Sequence, residues 1–232
     1  IILEMDISDD RTATAAFEEV GWYSVLVQDS TFFSDEEYGL TVTLKESDGS
    51  YETEPNGAGA PSDELTSGVQ TRGQIRSTSD QDWFSIYAWE PGLLELSFDS
   101  PSTYSGYDYF NAAVYHDFGG DGGVGADPDE IILEMDISDD RTATAAFEEV
   151  GWYSVLVQDS TFFSDEEYGL TVTLKESDGS YETEPNGAGA PSDELTSGVQ
   201  TRGQIRSTSD QDWFSIYAWE PGLLELSFDS PS

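Results

Sequence analysis

The chain has 232 residues, of which 37% are hydrophobic and 13% aromatic, so it is long and apolar enough to bury a core. It carries 48 Asp and Glu against 8 Lys and Arg, a net charge of −40, which argues against binding to nucleic acid or to an anionic membrane surface. It contains no cysteine for disulfides or thiol chemistry, and no apolar run long enough to predict membrane insertion.

An exact internal repeat organises the chain, because residues 1–102 recur letter for letter as residues 131–232. The offset of 131 − 1 = 130 residues is the size of an independent domain rather than of a solenoid unit. Exact identity over such a length is common in surface arrays, adhesins and fibres, and is rarely needed by enzymes. We therefore expect a tandem array.

The boundary between repeats is predicted from an acidic stretch that has the composition of a linker. The sequence YETEPNGAGAPSDE lies at residues 51–64 and again at residues 181–194. We expect one complete domain at residues 51–174, preceded at 1–46 by the second half of a repeat and followed at 181–232 by the first half of the next. The chain begins within a strand-like segment, so we expect it to belong to a longer protein.

The complete repeat is predicted to be an all-β, jelly-roll-like sandwich, because short apolar-alternating segments are separated by turn residues. Alternation in the second segment places Phe84, Ile86 and Ala88 on one face. Residues 90–92 (EPG) predict a turn, and only residues 62–68 (SDELTSG) have the composition of a short helical turn. The eight predicted strands cover residues 68–75, 82–90, 93–98, 109–116, 131–137, 142–148, 152–159 and 168–174.

Oxygen-bearing side chains in the linker and at the start of the second strand form a candidate metal site. Glu52, Glu54 and Asn56 alternate, so an extended chain points them to one side, and Asp80 and Asp82 alternate likewise. If the two groups converge, they suit Ca²⁺, which takes 6–8 oxygen ligands. The competing interpretation is a solvated acidic linker. The candidate ligands of the second copy are Glu182, Glu184, Asn186, Asp210 and Asp212.

Other acidic clusters are weaker candidates. The glycine-rich loop with Asp117, Asp121, Asp127 and Asp129 lacks the spacing of an EF-hand and is interpreted as a hairpin loop. Residues 136–140 (DISDD) predict a turn between strands. We interpret a third group as a solvated loop, formed by Asp159, Asp165, Glu166 and Glu167.

Catalysis finds little support in the sequence. His116 is the only histidine and lies at the end of a predicted strand, and no G-x-S-x-G motif is present. The chain has many pairs of carboxylates, so their number alone does not exclude the catalytic pair of a glycosidase. A module of about 120 residues duplicated without change is nevertheless a poor host for a glycosidase cleft, so we predict that the chain is not an enzyme.

Aromatic residues in loops provide a further indication. A contiguous apolar loop surface often marks an interface. Such a surface would pack neighbouring domains or hold a carbohydrate or protein ligand; the alternative is that the rings cap the ends of the sandwich. The loop aromatics are Tyr104, Tyr107, Tyr109 and Phe110, with Phe162 and Phe163.

Five motifs follow one another along the chain: ETEPNG (52–57), SGVQTRGQI (67–75), SDQDWFSIYAWEPGLLELSF (79–98), GWYSVLVQD (151–159) and YGLTVTL (168–174). Their order resembles the bacterial pre-peptidase C-terminal domain, a β-sandwich of secreted proteins grouped with the collagen-binding domains of clostridial collagenases. This resemblance implies calcium binding in the acidic segment before the first strand and in the loop before the second.

Carried over residue by residue, the resemblance implies ligand roles for Glu52, Glu54, Asn56 and Asp82, with Asp80 close to a second acid of the family's loop. The ligand-binding tyrosines of the collagen binders have no match in this sequence, so collagen binding is not implied.

These observations predict a structural or adhesive repeat of an extracellular filament or cell-surface array, rigidified by Ca²⁺ at its linkers. The acid excess suits saline surroundings, where salt or divalent cations relieve self-repulsion. The expected partners are copies of itself, with polysaccharide or matrix as further candidates, and each half repeat is completed by adjoining chain or by strand exchange. The alternative function is a carbohydrate- or matrix-binding module appended to a secreted hydrolase.

Overall fold

The complete repeat has nine strands among the residues that the structure describes. The computed structural model describes residues 14, 16–17, 20–28, 39–57, 62–101, 107, 109–117, 131–160, 166–183, 186, 192–205 and 211–229. No helix occurs in these ranges, and so none that would span a membrane. The strands are β1 (Asp63–Glu64), β2 (Gln70–Gly73), β3 (Gln81–Ala88), β4 (Gly92–Asp99), β5 (Phe110–Asp117), β6 (Ile131–Ile137), β7 (Arg141–Phe147), β8 (Gly151–Asp159) and β9 (Tyr168–Lys175).

Two sheets are packed face to face, which confirms the predicted β-sandwich. One sheet has the order β1-β3-β8-β5-β6, and the other has the order β2-β9-β4-β7. Phe84 pairs with Val155 in the first sheet, and Leu96 pairs with Val172 in the second. The bounds of the predicted strands agree with the observed ones to within two residues, because alternation and turn chemistry define both ends of each segment.

The core lies between the two sheets and is rich in aromatic side chains. Phe98 stacks on Tyr168 with ring centroids 5.1 Å apart, and Phe110 lies 5.1 Å from Phe98. Phe84 and Leu96 are fully buried beside them. Burying one such side chain contributes about 1.5–3 kcal/mol, so these contacts fix how the two sheets face one another at the end where β9 begins.

The flanking copies of the same sequence have a different environment. Phe98 is 2% exposed in the complete repeat, whereas its copy Phe228 is 86% exposed, and Leu94 and Leu224 differ in the same way, at 0% and 83%. Among the described residues after 180, strand pairing is limited to β10 (Asp193–Glu194) with β11 (Phe214–Ser215) and single bridges. The same residues therefore form a core only where the complementary strands are part of the same sandwich.

One local prediction was wrong. The SDELTSG segment does not form a helical turn, because Asp63 and Glu64 pair in parallel with β3 and Leu65 N donates to Ser85 O at 2.7 Å. Gly92, the glycine of the predicted EPG turn, is not in the positive-φ region. It is needed because a Cβ there would lie 2.3 Å from the carbonyl oxygen of Lys175.

Candidate metal centre

The acidic linker is part of the sandwich rather than a free spacer. Glu52 N donates to Arg72 O, and Arg72 N donates to Ser50 O, both at 2.8 Å, so this segment lies alongside β2. A few residues later, Trp83 N donates to Asn56 O at 3.2 Å, which fixes the segment against β3. The linker therefore crosses from one sheet to the other and brings its side chains to the end of the core.

The two predicted groups of oxygen donors converge there in part. Glu52, Glu54 and Asp82 are buried, and each offers a carboxylate oxygen within 4.8 Å of the others. Asn56 is fully buried beside them. This burial does not fit the interpretation of the linker as a solvated chain, because three clustered carboxylates away from water require compensation.

Glu52 is held by two donors from different parts of the chain. Gln74 N donates to Oε1 at 2.7 Å, and Asn56 Nδ2 donates to Oε2 at 3.2 Å. The hydroxyl oxygen of Tyr168 lies 3.4 Å from Oε2. The chain approaches closely at Gly73, where a Cβ would lie 2.6 Å from Glu52 Oε2 and 2.3 Å from the Tyr168 hydroxyl. The glycine therefore makes room for the carboxylate and the phenol.

Asp82 lies on the inner face of β3, two residues before the core residue Phe84. The Tyr168 hydroxyl donates to its Oδ2 at 2.6 Å, but no hydrogen bond to its buried Oδ1 is found within the described ranges. The same holds for Asn56 Oδ1, whose amide nitrogen is oriented by Glu52 and Asp63. A buried acceptor without a donor is costly, so two oxygens at this site are suited to a cation.

Arg76 compensates the other acids. Its guanidinium lies 2.5 Å from Glu54 Oε1 and 3.1 Å from Asp80 Oδ2. Asp80 also accepts a hydrogen bond from Arg76 N at 2.8 Å. The structure therefore places Asp80 on Arg76 rather than in the group of three carboxylates, and its role as a ligand stays a prediction.

The protonation of the centre follows from its burial. Burial is the main cause that raises the pKa of Glu52 to about 8. The charge of Glu54 also raises this pKa, whereas the hydrogen bonds to Glu52 lower it. Burial and the charge of Glu52 raise the pKa of Asp82 well above its ordinary value. The pKa of Glu54 is also raised by burial, with the Arg76 charge acting against the shift. Near neutral pH the centre therefore retains a proton unless another cation replaces it.

The second copy of the linker has the same local arrangement. Gln204 N donates to Glu182 Oε1 at 2.6 Å, and Asn186 Nδ2 donates to Glu182 Oε2 at 3.0 Å. Glu182 and Asn186 are buried, and Asp212 is half-buried. The predicted ligands Glu184 and Asp210 lie outside the described residues.

The other sequence candidates do not assemble into a site within the described ranges. His116 is buried at the end of β5, with its ring 4.8 Å from that of Tyr153. Glu167 pairs with Arg72 at 3.1 Å on the surface, and residues 138–140 form the predicted turn between β6 and β7. The candidates outside the described residues are Tyr104, Asp121, Asp127, Asp129, Phe162, Phe163 and Asp165.

Two residues of the centre were missed by sequence reasoning. Tyr168 opens an apolar strand and was interpreted only as part of that strand, since nothing local links it to an acid 86 residues earlier. Arg76 carried a usable signal, because it is a basic residue between two acidic motifs and four residues before Asp80. Its charge decides which acids remain uncompensated.

Comparison with known proteins identifies structures but no family. No protein-family model and no curated protein sequence matches the chain. Among solved structures, the pre-peptidase C-terminal domain of collagenase from Bacillus anthracis has a TM-score of 0.37 at 11% identity, over 48% of this chain and 94% of that one. It belongs to the family that the motifs resemble.

Two further structures have similar values. The periplasmic g-type lysozyme inhibitor PliG of Aeromonas hydrophila has a TM-score of 0.36 at 15% identity, over 49% of this chain and 96% of its own. The surface-associated copper-binding protein CorA of Methylomicrobium album BG8 has a TM-score of 0.33 at 10% identity, over 55% of this chain and 98% of its own. At TM-scores this low, none of the three assigns a function to this chain.

Proposed function

We propose that this chain is a structural or adhesive repeat of an extracellular filament or cell-surface array, stiffened by Ca²⁺ bound at its acidic linkers. The observation that carries the proposal is the buried convergence of Glu52, Glu54 and Asp82 next to Asn56, with the linker itself supplying three of these four residues. A cation bound there holds the linker onto its own sandwich.

The donor set fits a hard divalent cation. The oxygens of Glu52, Glu54 and Asp82 are carboxylate donors, and Asn56 Oδ1 is an amide oxygen without a hydrogen-bond donor in the described part of the chain. Oxygen-only sets with several carboxylates favour Ca²⁺ over the softer transition metals, which take nitrogen or sulfur ligands. Asp80 would become a ligand only if its ion pair with Arg76 were broken.

Stiffening follows from linkage between binding and folding. A cation that binds only the closed linker stabilises that state by RT ln(1 + [Ca²⁺]/Kd), which is about 2.7 kcal/mol at a concentration of 100 Kd. Without a cation, the centre must keep a proton or accept repulsion between buried carboxylates. The linker then behaves more like a flexible spacer than a fixed joint.

The remaining support comes from the sequence. An exact repeat of 102 residues, a net charge of −40 and an acidic linker at each boundary are typical of a tandem array that works in salt- or calcium-containing surroundings. The expected partners are further copies of the repeat, and the expected location is outside the cell.

The direct test is thermal unfolding of the full chain in EDTA and after addition of Ca²⁺ or Mg²⁺, together with calorimetric titration of each ion. We expect the Tm of the complete sandwich to rise with Ca²⁺ concentration and to rise less with Mg²⁺, which prefers a smaller octahedral shell. An unchanged Tm and the absence of binding heat would remove Ca²⁺ from the proposal.

A second candidate function is binding of a neutral polysaccharide, favoured by aromatic rings on the outer surface of the five-stranded sheet. Tyr87 lies 4.4 Å from Trp89 and 5.2 Å from Trp152, and Trp89 is 81% exposed. The copies Tyr217 and Trp219 lie 4.6 Å apart. Such rings stack on sugars without needing charge, and the acidic chain disfavours anionic polymers.

If this candidate is correct, Trp89→Ala weakens retention of the chain on insoluble neutral polysaccharide. Equal retention of the natural chain and the Trp89→Ala variant would contradict it.

A further inference from the structure

The linker of the following repeat lies between a strand of the preceding repeat and a segment of its own repeat. Tyr181 pairs in parallel with Arg202 of its own repeat, whereas Thr183 pairs in parallel with Ala146 of the preceding one. Ala146 belongs to β7, the edge strand of the four-stranded sheet, and its other side pairs with Leu93 of β4. The linker therefore extends this sheet beyond β7.

The same pairing occurs at the preceding joint. Tyr51 pairs with Arg72, and Thr53 pairs with Ala16, the residue that corresponds to Ala146. At the first joint the complete repeat follows the linker, whereas at the second joint it precedes the linker. The two bridges are nevertheless the same at both joints. The pairing therefore follows from the sequence of the joint and not from one particular neighbour.

The second sheet also contributes to the joint. Gln204 Nε2 donates at 3.0 Å to the carbonyl oxygen of Glu134 in β6, the edge strand of the five-stranded sheet. A crevice between the repeats is lined by Ile132, Thr144 and Ala145 of the preceding repeat, with Tyr181, Glu182, Gly203 and Gln204 of the following one. The edges of both sheets of one repeat thus face the linker and the β2-equivalent segment of the next.

We propose that consecutive repeats dock edge to edge, so that the four-stranded sheet runs from β7 of one repeat through residues 181–183 into residues 201–203 of the next. Pairing of an extended segment with a free sheet edge supplies main-chain hydrogen bonds. It also covers an edge that would otherwise be open to aggregation. The partner of each edge is the next copy of the repeat.

The docking surfaces determine how an array grows. The donor surface (181–183 and Gln204) and the acceptor surface (Ala146 and Glu134) are different parts of a repeat, so the contact is head to tail and does not close on itself. One repeated contact of this kind sets a constant orientation between neighbours. This inference deepens the proposed array function, but it does not depend on Ca²⁺.

Disulfide trapping tests the docking directly, because the natural chain has no cysteine. Directly paired residues on neighbouring strands bring their Cα atoms within the range that a disulfide spans. We expect the full chain carrying Ala146→Cys and Thr183→Cys to form an intramolecular disulfide under mild oxidation, detected by mass spectrometry after proteolysis. The matched control carries Ala146→Cys and Val199→Cys, since Val199 is an exposed residue of the same following repeat.

The outcomes distinguish the docking of consecutive repeats from the binding of Ca²⁺ at the linker. Crosslinking of the Ala146/Thr183 pair in both Ca²⁺ and EDTA, with little crosslinking of the control, supports the docking even if Ca²⁺ binding fails. Equal crosslinking of the two pairs, or no crosslinking of either in correctly folded protein, overturns it. Circular dichroism of each variant checks the fold.

A second measurement needs no cysteine in the buried edge. We expect Gln204→Ala to speed hydrogen–deuterium exchange in residues 141–147 and 181–183 by about fivefold, the effect of losing one net hydrogen bond. Gln200→Ala is the matched control, because Gln200 donates to Asp229 within its own repeat at 2.9 Å. Identical exchange in the natural chain and the Gln204 variant would contradict the docking.

Discussion

Tyr168 donates its hydroxyl hydrogen to Asp82 Oδ2 at 2.6 Å and so joins the two sheets of the sandwich through the candidate metal centre. Tyr168 is the first residue of β9 in the four-stranded sheet, and Asp82 lies near the start of β3 in the five-stranded sheet. The phenol ring stacks on Phe98 in the core. The acidic centre and the aromatic core are therefore one packed unit, and a change in either affects the other.

Removing this hydroxyl tests that coupling. Tyr168→Phe leaves the ring in the core but deprives Asp82 Oδ2 of its donor, so we expect the free energy of unfolding to fall by about 1–3 kcal/mol. Urea unfolding followed by circular dichroism measures the change. Tyr51→Phe, which removes a hydroxyl that accepts a hydrogen bond from the exposed guanidinium of Arg72 at 3.4 Å, should stay within about 0.5 kcal/mol of the natural chain. Equal effects of the two variants would contradict the coupling.

The raised pKa of Glu52 predicts a pH dependence of stability in EDTA. The folded pKa is about 8 against an ordinary value of 4.5, so the folded state holds the extra proton between these limits. This contribution is complete below pH 4.5 and is lost as the pH rises to about 8, at a rate of up to roughly 1.4 kcal/mol per pH unit.

The matched variant isolates this group from the general repulsion of an acidic chain. Glu52→Gln cannot ionise, so the decline in unfolding free energy between pH 5 and 8 should be shallower than in the natural chain. Denaturation at a series of pH values in EDTA measures both slopes. Parallel curves for the two proteins would show that Glu52 is not the titrating group.

Replacing a carboxylate of the centre by its neutral isostere should distinguish the effect of Ca²⁺ binding on stability from the effect of protonation. Asp82→Asn removes a proposed ligand, so we expect the rise in Tm with Ca²⁺ to be lost or strongly reduced. In EDTA at alkaline pH the same variant should be more stable than the natural chain, because one buried charge is gone. Asp99→Asn, at an exposed carboxylate, is the control that should keep the Ca²⁺ effect. A full Ca²⁺ response in Asp82→Asn would place the cation elsewhere.

The repeat itself supplies an internal control for the close approach at Gly92. A Cβ at Gly92 would lie 2.3 Å from the carbonyl oxygen of Lys175, whereas nothing lies within 4 Å of a Cβ at its copy, Gly222. Gly92→Ala should therefore destabilise the sandwich by about 1–3 kcal/mol. Gly222→Ala should leave the unfolding of the sandwich within about 0.5 kcal/mol. Calorimetric unfolding of the two variants provides the comparison, and similar losses would show that the approach to Lys175 is not the cause.

Half of the candidate metal centre could be predicted from the sequence. The alternation of Glu52, Glu54 and Asn56, and of Asp80 and Asp82, predicted two local groups of oxygen donors, and the carboxylates of Glu52, Glu54 and Asp82 meet in the structure. Local spacing carries no information on long-range partners. The hydrogen-bond partner of Asp82, Tyr168, is 86 residues away in the sequence. Which carboxylates pair with a guanidinium, and which are buried without one, depends on the position of Arg76.

The sequence by itself determined the positions of strands β2 to β9, because alternation and turn residues act within a few neighbours along the chain. It also determined the period of the internal repeat and the acidity of the stretch between its copies. Only the tertiary structure decided which of two identical segments forms a core, since Phe98 is buried and Phe228 exposed according to the strands opposite them. Tertiary contacts also made the acidic stretch a candidate metal centre and paired it with two repeats at single bridges, because both arrangements depend on residues far away in the sequence.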